Sequence, residues 1–219
     1  MDLERNIVCN KGNVNLYSLI NKSNNAKEYQ LVFNIDSIDP DKINIEQLLS
    51  HNIYELIEKI NPELIEKIVL LKIYNENDAD ILILLNHIAK EVGIKQKYLM
   101  FRSLRNIDYD KDKIIFDIKD ISLIDKNLVN TYLNSLDYNI AHFEPLIFNY
   151  GNIEISISNI NLNELSSSKD IDNLVIDTNF NIIFQILIKD DLPIYMENII
   201  GLMMKKLFYN LKQFIDNLK

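Results

Sequence analysis

The side chains able to do acid, base, nucleophilic or metal chemistry are few and dispersed. Three histidines occur, His51, His87 and His142, and no two stand at metal-ligand spacing. His51 falls on a predicted helix, His87 and His142 in predicted strands, and all three read as structural or surface residues. The single cysteine, Cys9, lies in an N-terminal stretch with no local base, so a nucleophilic thiol lacks its partner. Paired acids occur at Asp78 and Asp80, at Asp110 and Asp112, and at Asp190 and Asp191. All sit in predicted turns, where carboxylates are normally solvated, not poised on either side of a scissile bond. No G-x-S-x-G, H-E-x-x-H or C-x-x-C pattern is present, and four glycines do not make a phosphate-binding loop. The expectation is therefore no catalytic residue, no metal and no cofactor. One charged residue stands out for recognition. Arg102 shares a strand face with Tyr98 and Met100, and an inward guanidinium would need an anionic partner. That partner is either a bound ligand or a neighbouring Asp or Glu.

The element that must organise any site is the C-terminal stretch from Asp190 to Lys219. Asp191 suits a helix N-cap and Pro193 the first turn. Apolar residues recur at Met196, Ile199, Ile200, Met203, Met204, Leu207, Leu211, Phe214, Ile215 and Leu218, in steps of three and four that mark one helical face. Such a helix, from Pro193 to Leu218, is roughly 39 Å long at about 1.5 Å per residue. Ahead of it the pattern is mostly strands. Val14–Ile20 and Tyr29–Ile35 predict a hairpin. Apolar residues at 45, 48, 49, 53, 56, 57 and 60 predict one helix over Ile43–Ile60, ended by Asn61-Pro62. Strands are predicted at 68–74, 79–89, 96–104, 114–118, 140–148, 153–160, 174–178 and 180–188, with a turn at Asn149–Asn152. Ser122–Asn139 reads as a short helix or folded loop. This order predicts an α+β fold with an antiparallel sheet.

Composition narrows the partners. The 219 residues carry a net charge of −9, which argues against a nucleic-acid binder needing a basic stripe. One cysteine excludes an internal disulfide and suits a reducing compartment. No signal sequence and no apolar run long enough to span a bilayer is read, so the expected location is cytoplasmic.

The order and spacing of these elements resemble the START family of lipid-transfer domains, over roughly residues 12 to 218. Asn13–Tyr17 (Asn-Val-Asn-Leu-Tyr) is similar to the family's opening strand. Gln96–Arg102 (Gln-Lys-Tyr-Leu-Met-Phe-Arg) is similar to its Gln-Arg-Asp-Phe strand, although Lys97 stands where Asp is usual. Leu192–Asn198 (Leu-Pro-Ile-Tyr-Met-Glu-Asn) is similar to the start of its C-terminal helix. The resemblance implies one domain over 1–219, with residues 1–11 as an N-terminal extension. It implies a helix-grip fold, a curved antiparallel sheet wrapped around the long C-terminal helix, enclosing a hydrophobic tunnel. The tunnel would hold one phospholipid or sterol-like lipid for non-enzymatic transfer, lined by Tyr98, Met100, Arg102, Tyr195, Met196, Ile199, Ile200, Met203 and Leu207. The terminal helix and Ser122–Asn139 would gate it. Lys205, Lys206 and Lys212 would help a monomer make transient contact with an anionic membrane. The alternatives are a helix-grip interaction module, co-chaperone or scaffold, with a filled core, and an enzyme of the same fold working through His87 and His142.

Overall fold

The computed structural model describes residues 4–20, 27–87, 95–124, 126–162, 176–186 and 194–218. Ten strands form one sheet: β1 (Glu4–Lys11), β2 (Val14–Ile20), β3 (Lys27–Ile38), β4 (Ile65–Asn75), β5 (Asp78–Leu85), β6 (Gln96–Asp108), β7 (Lys113–Asp120), β8 (Phe143–Pro145), β9 (Phe148–Ser158) and β10 (Ile176–Ile186). Their order is β1-β2-β3-β10-β9-β7-β6-β5-β4, all antiparallel, with short β8 joining β6 in parallel. The helices are α1 (Ile45–Leu48), α2 (Ile53–Ile60), α3 (Lys126–Ser135) and the terminal α4 (Ile194–Asp216). At 23 residues α4 is roughly 34 Å long. This is the expected helix-grip architecture: an extended antiparallel sheet with a long C-terminal helix packed into its apolar face.

The main core lies on the face that meets α1, α2 and α4. Phe33 of β3 and Phe180 of β10 are opposite each other in the register and stack with centroids 4.7 Å apart. Phe208 of α4 closes on Phe33 at 6.0 Å. Leu207, Phe208, Leu211 and Ile215 are the buried stripe of α4, while Phe214, assigned to that stripe by spacing, is 37% exposed. One step of helix rotation thus substitutes Phe208 for Phe214.

A second, smaller core covers the other face of the sheet. Leu82 and Leu84 of β5, Tyr98 and Met100 of β6, and Ile121 pack with Val129 and Leu133 of α3 and with Phe143. Strand β5 is consequently buried on both sides, which explains its unbroken Ile81–Leu85 run.

Several boundaries differ from expectation. Residues 4–11, within the stretch expected as an N-terminal extension, are an edge strand paired with β2; Gly12 and Asn13, with φ of 56° and 60°, make its two-residue hairpin turn. The single helix over 43–60 is two, split where Ile53 N–H bonds the Ser50 carbonyl and Asn52 N–H bonds the Ser50 hydroxyl. The turn at 149–152 is absent: Gly151 and Asn152 pair with both β7 and β10, Tyr150 pairs with β10, and Asn149 falls at a register shift. The strand expected at 140–148 is a 3-10 turn at Ile140–His142 followed by β8 and the start of β9. Strands 174–178 and 180–188 are one, β10. Asp191, Pro193 and residues 21–26, 88–94 and 163–175 lie outside the described residues.

Candidate functional site

Two sides of β6 present different chemistry. Leu99, Phe101, Ser103 and Arg105 point to the α2–α4 side, and Phe101 and Ser103 are fully or nearly buried there. The loop between α1 and α2 lays His51 against this row. His51 Nε2 lies 3.2 Å from the Ser103 hydroxyl, its ring meets Phe116 edge-on at 5.6 Å, and Tyr54 stacks beside it at 6.4 Å. Both His51 and Ser103 are buried, and the Tyr54 hydroxyl is buried without a hydrogen bond. The Nε of Arg105 is likewise enclosed without a hydrogen bond, as is one oxygen of Asn77, while Asp78 Oδ1 lies 3.8 Å from Arg102 Nε. A polar cluster is thus set into an apolar wall formed by Phe101, Phe116 and their neighbours. Sequence spacing alone missed it because His51, Tyr54, Ser103 and Arg105 come from two distant segments.

The electrostatics of the cluster are those of a desolvated site. Burial pushes the Tyr54 phenol far above its usual range, partly offset by the nearby Ser103 hydroxyl. Burial, then the Arg105 charge, holds His51 below its ordinary value of 6.5; contacts to the carbonyls of Ser103 and Glu76 and the Asp78 charge oppose this. The unfolded chain therefore binds the His51 proton more tightly than the native state. The stability this provides is complete above about pH 6.5 and is lost as pH falls through the depressed native value. His51→Gln is expected to flatten the decline of the urea midpoint between pH 7 and pH 5 relative to wild type. An unchanged slope would contradict the assignment.

The residues expected to line a tunnel divide into three groups. Tyr98 and Met100 point away from α4, into the core under α3. Arg102, on the same outer row, is an ion-pair partner. Its Nε donates to Asp80 Oδ1 at 2.8 Å and its Nη2 to Asp80 Oδ2 at 3.1 Å, and the guanidinium lies 4.3 Å from the Tyr74 ring centroid. The hydrogen bonds it donates to the Asp80 carboxylate raise its already high pKa. The neighbouring-acid alternative therefore holds for Arg102, because the face on which it sits is the outer one. Met203 and Leu207 do lie against the main core. Tyr195, Met196, Ile199 and Ile200 belong to the first turns of α4, and their side chains lie outside the described residues.

The three lysines of α4 do not make a free basic patch. Lys205 is 5% exposed and donates to Cys9 Sγ. Lys212 pairs with Asp216 at 2.9 Å and Lys206 with Glu63 at 3.1 Å. The helix is tied down midway, where Asn61 Nδ2 reaches the Leu207 carbonyl at 3.4 Å and Asn210 donates to Asn61 Oδ1 at 2.8 Å.

Gly201 lets α4 approach the sheet closely. A Cβ there would stand 3.1 Å from Tyr29 Cε1 and 3.4 Å from Leu16 Cδ2. Gly201→Val is expected to lower stability by about 1–3 kcal/mol through overpacking, measurable as a lower denaturant midpoint. A neutral or stabilising result would mean that Tyr29 repacks freely.

His142 sits in the 3-10 turn, and no group of acids, cysteines and histidines able to hold a metal occurs among the described residues. No helix among them is long and apolar enough to cross a membrane.

No protein-family model and no curated protein sequence matches the chain. Solved structures do. Human STARD10 superposes with a TM-score of 0.62 at 7% identity, covering 96% of this chain and 72% of its own. Human StAR-related lipid transfer protein 5 gives 0.59 at 10% identity, covering 98% and 86%. A STAR-related lipid transfer protein from Xanthomonas axonopodis gives 0.56 at 8% identity, covering 98% of each chain. Over nearly its whole length, the chain has the fold of the START lipid-transfer domains.

Proposed function

We propose that this chain binds one amphipathic lipid between the concave face of its sheet and α4, and carries it between membranes without chemical change. The carrying observation is the buried polar cluster at His51, Tyr54, Ser103 and Arg105. An apolar interior that keeps an unbonded phenol and an unbonded guanidinium nitrogen has donors suited to a phosphate, carboxylate or hydroxyl head group. The lipid chain then runs under α4, past Met203 and Leu207 toward Tyr195, Met196, Ile199 and Ile200. Met side chains suit such a wall because they repack around ligands of different shape. Gating falls to the first turns of α4, since its second half is held by Asn61 and its Phe208–Ile215 core contacts. This reading leaves Ser122–Asn139 out of the gate, and the packing of α3 on the face of the sheet away from α4 supports that choice. The START fold of the solved lipid-transfer proteins supports this reading.

Native mass spectrometry of the purified protein, followed by extraction and lipid identification, tests it. The expected result is a one-to-one lipid adduct whose retention falls at least several-fold in Tyr54→Phe or Arg105→Met and is unchanged in Arg102→Leu. No adduct, together with no uptake from labelled mixed liposomes, overturns the reading. That outcome would favour an interaction module, for which Leu123 and Ile124, 58% and 74% exposed ahead of α3, provide an apolar tip.

A further inference from the structure

The hairpin of β1 and β2 lies over α4, and a β-bulge decides which side chain it points there. Ile7 pairs with Tyr17 but Cys9 pairs with Leu16, so Val8 is the extra residue. Directly opposed residues of an antiparallel pair share a face, and Leu16 is fully buried against the main core. Without the bulge Cys9 would point outward; with it, Cys9 points at α4. There Lys205 comes to meet it, with Nζ 2.8 Å from Sγ. Lys205 is 5% exposed, and its amine has no other hydrogen-bond partner among the described residues. Lysines are seldom buried without a carboxylate. Cys9 itself is only half-buried, which leaves the sulfur reachable by a molecule as small as peroxide.

We propose that Cys9 and Lys205 form an oxidative crosslinking site, in which hydrogen peroxide joins Sγ to Nζ through one bridging oxygen. The first peroxide converts the thiol to a sulfenic acid and leaves as water. The second removes one hydrogen from the sulfenic O–H and one from the amine as the O–N bond forms, and is reduced to two waters. In sum, thiol, amine and two peroxides give S–O–NH and three waters. Sulfur and nitrogen are each oxidised by two electrons, and both peroxides are reduced. A single oxygen atom spans the present gap with little movement, whereas a direct S–N bond would require the two atoms to close substantially. The product would staple the edge strand β1 to the middle of α4. Four thiol equivalents acting as reductant, oxidised to two disulfides, would cleave the bridge, release its oxygen as water and restore both side chains. This site does not depend on whether the interior carries a lipid.

The test is peroxide titration of the wild-type protein, followed by intact-mass and tryptic mapping with and without thiol reductant. The expected product gains one oxygen and loses two hydrogens, resists trypsin after Lys205, links the Cys9 and Lys205 peptides, and reverts on reduction. Its thermal midpoint should exceed that of the reduced protein. Cys9→Ser and Lys205→Met should both abolish the product. A chain carrying sulfenic or sulfinic acid on Cys9 with cleavable, unmodified Lys205 would overturn the proposal. So would a link showing only the loss of two hydrogens. Because the decisive reading comes from wild type, poor folding of a Lys205 variant does not rescue it.

Discussion

Phe33→Ala is expected to destabilise the protein by about 3–5 kcal/mol, read as a lower urea midpoint with an unchanged slope. Phe33 is 1% exposed and stands where three elements meet. Its ring stacks on Phe180 of β10, nearly parallel at 6°, and tilts against Phe208 of α4. Removing it deletes the transfer energy of the ring and the aromatic contacts on both sides. The hole cannot easily close. Phe180 and Phe33 are fixed by a strand register running from Thr178 to Gln185 without interruption, and α4 is held from the other side by Asn61 and Leu211. A loss well under 1 kcal/mol would mean that α4 slides down onto the sheet, and hence that its seat is loose. Phe214→Ala, on the same helix but 37% exposed, should cost less than about 1 kcal/mol and serves as the control.

The contrast between those two phenylalanines shows what periodicity can and cannot resolve. Steps of three and four identified α4 and most of its buried stripe, because a long helix repeats its signal many times. They did not choose between Phe208 and Phe214, which border the stripe on opposite sides. The helix over 43–60 failed for a related reason. Its apolar spacing suits a continuous helix, but the Ser50 hydroxyl accepts locally from the Asn52 N–H and breaks it, and tertiary packing places His51 against Ser103 and Phe116. At 149–152 the Asn-Tyr-Gly-Asn sequence has turn chemistry, yet β7 and β10 pair with it from both sides. Gly151 admits Ile118, whose Cβ would lie 3.3 Å from a Cβ placed there.

The site residues were harder to read than the fold, and β6 shows why. Alternation assigns a face only when one row is polar. Here Tyr98 and Met100 are apolar because α3 covers them, and Leu99 and Phe101 are apolar because they face α4. Both rows look like an interior, and Arg102 made the outer row look like the recognising one. The inward cation is Arg105, and its significance depends on His51 and Tyr54, about fifty residues away along the chain and brought close only by the fold. No spacing rule links them.

Arg102→Leu is therefore expected to act on stability and not on ligand. Asp80 is 3% exposed and accepts from Arg102 Nε and Nη2 and from the Tyr74 hydroxyl at 2.8 Å. Removing the guanidinium leaves a buried carboxylate with one neutral donor. Breaking a buried pair from one side commonly costs about 3–5 kcal/mol; the Arg102 side chain is 42% exposed, so water reaches its place and about 2–3 kcal/mol is expected. The double variant Arg102→Leu, Asp80→Leu should recover most of that loss, because it removes the orphaned charge and extends the apolar row of Leu82 and Met100. A double variant as unstable as the sum of its singles would mean that the two side chains act separately. If Arg102→Leu instead stripped a bound lipid while leaving the urea midpoint unchanged, the outer row would have to be the recognising face, and the assignment to His51, Tyr54, Ser103 and Arg105 would fall.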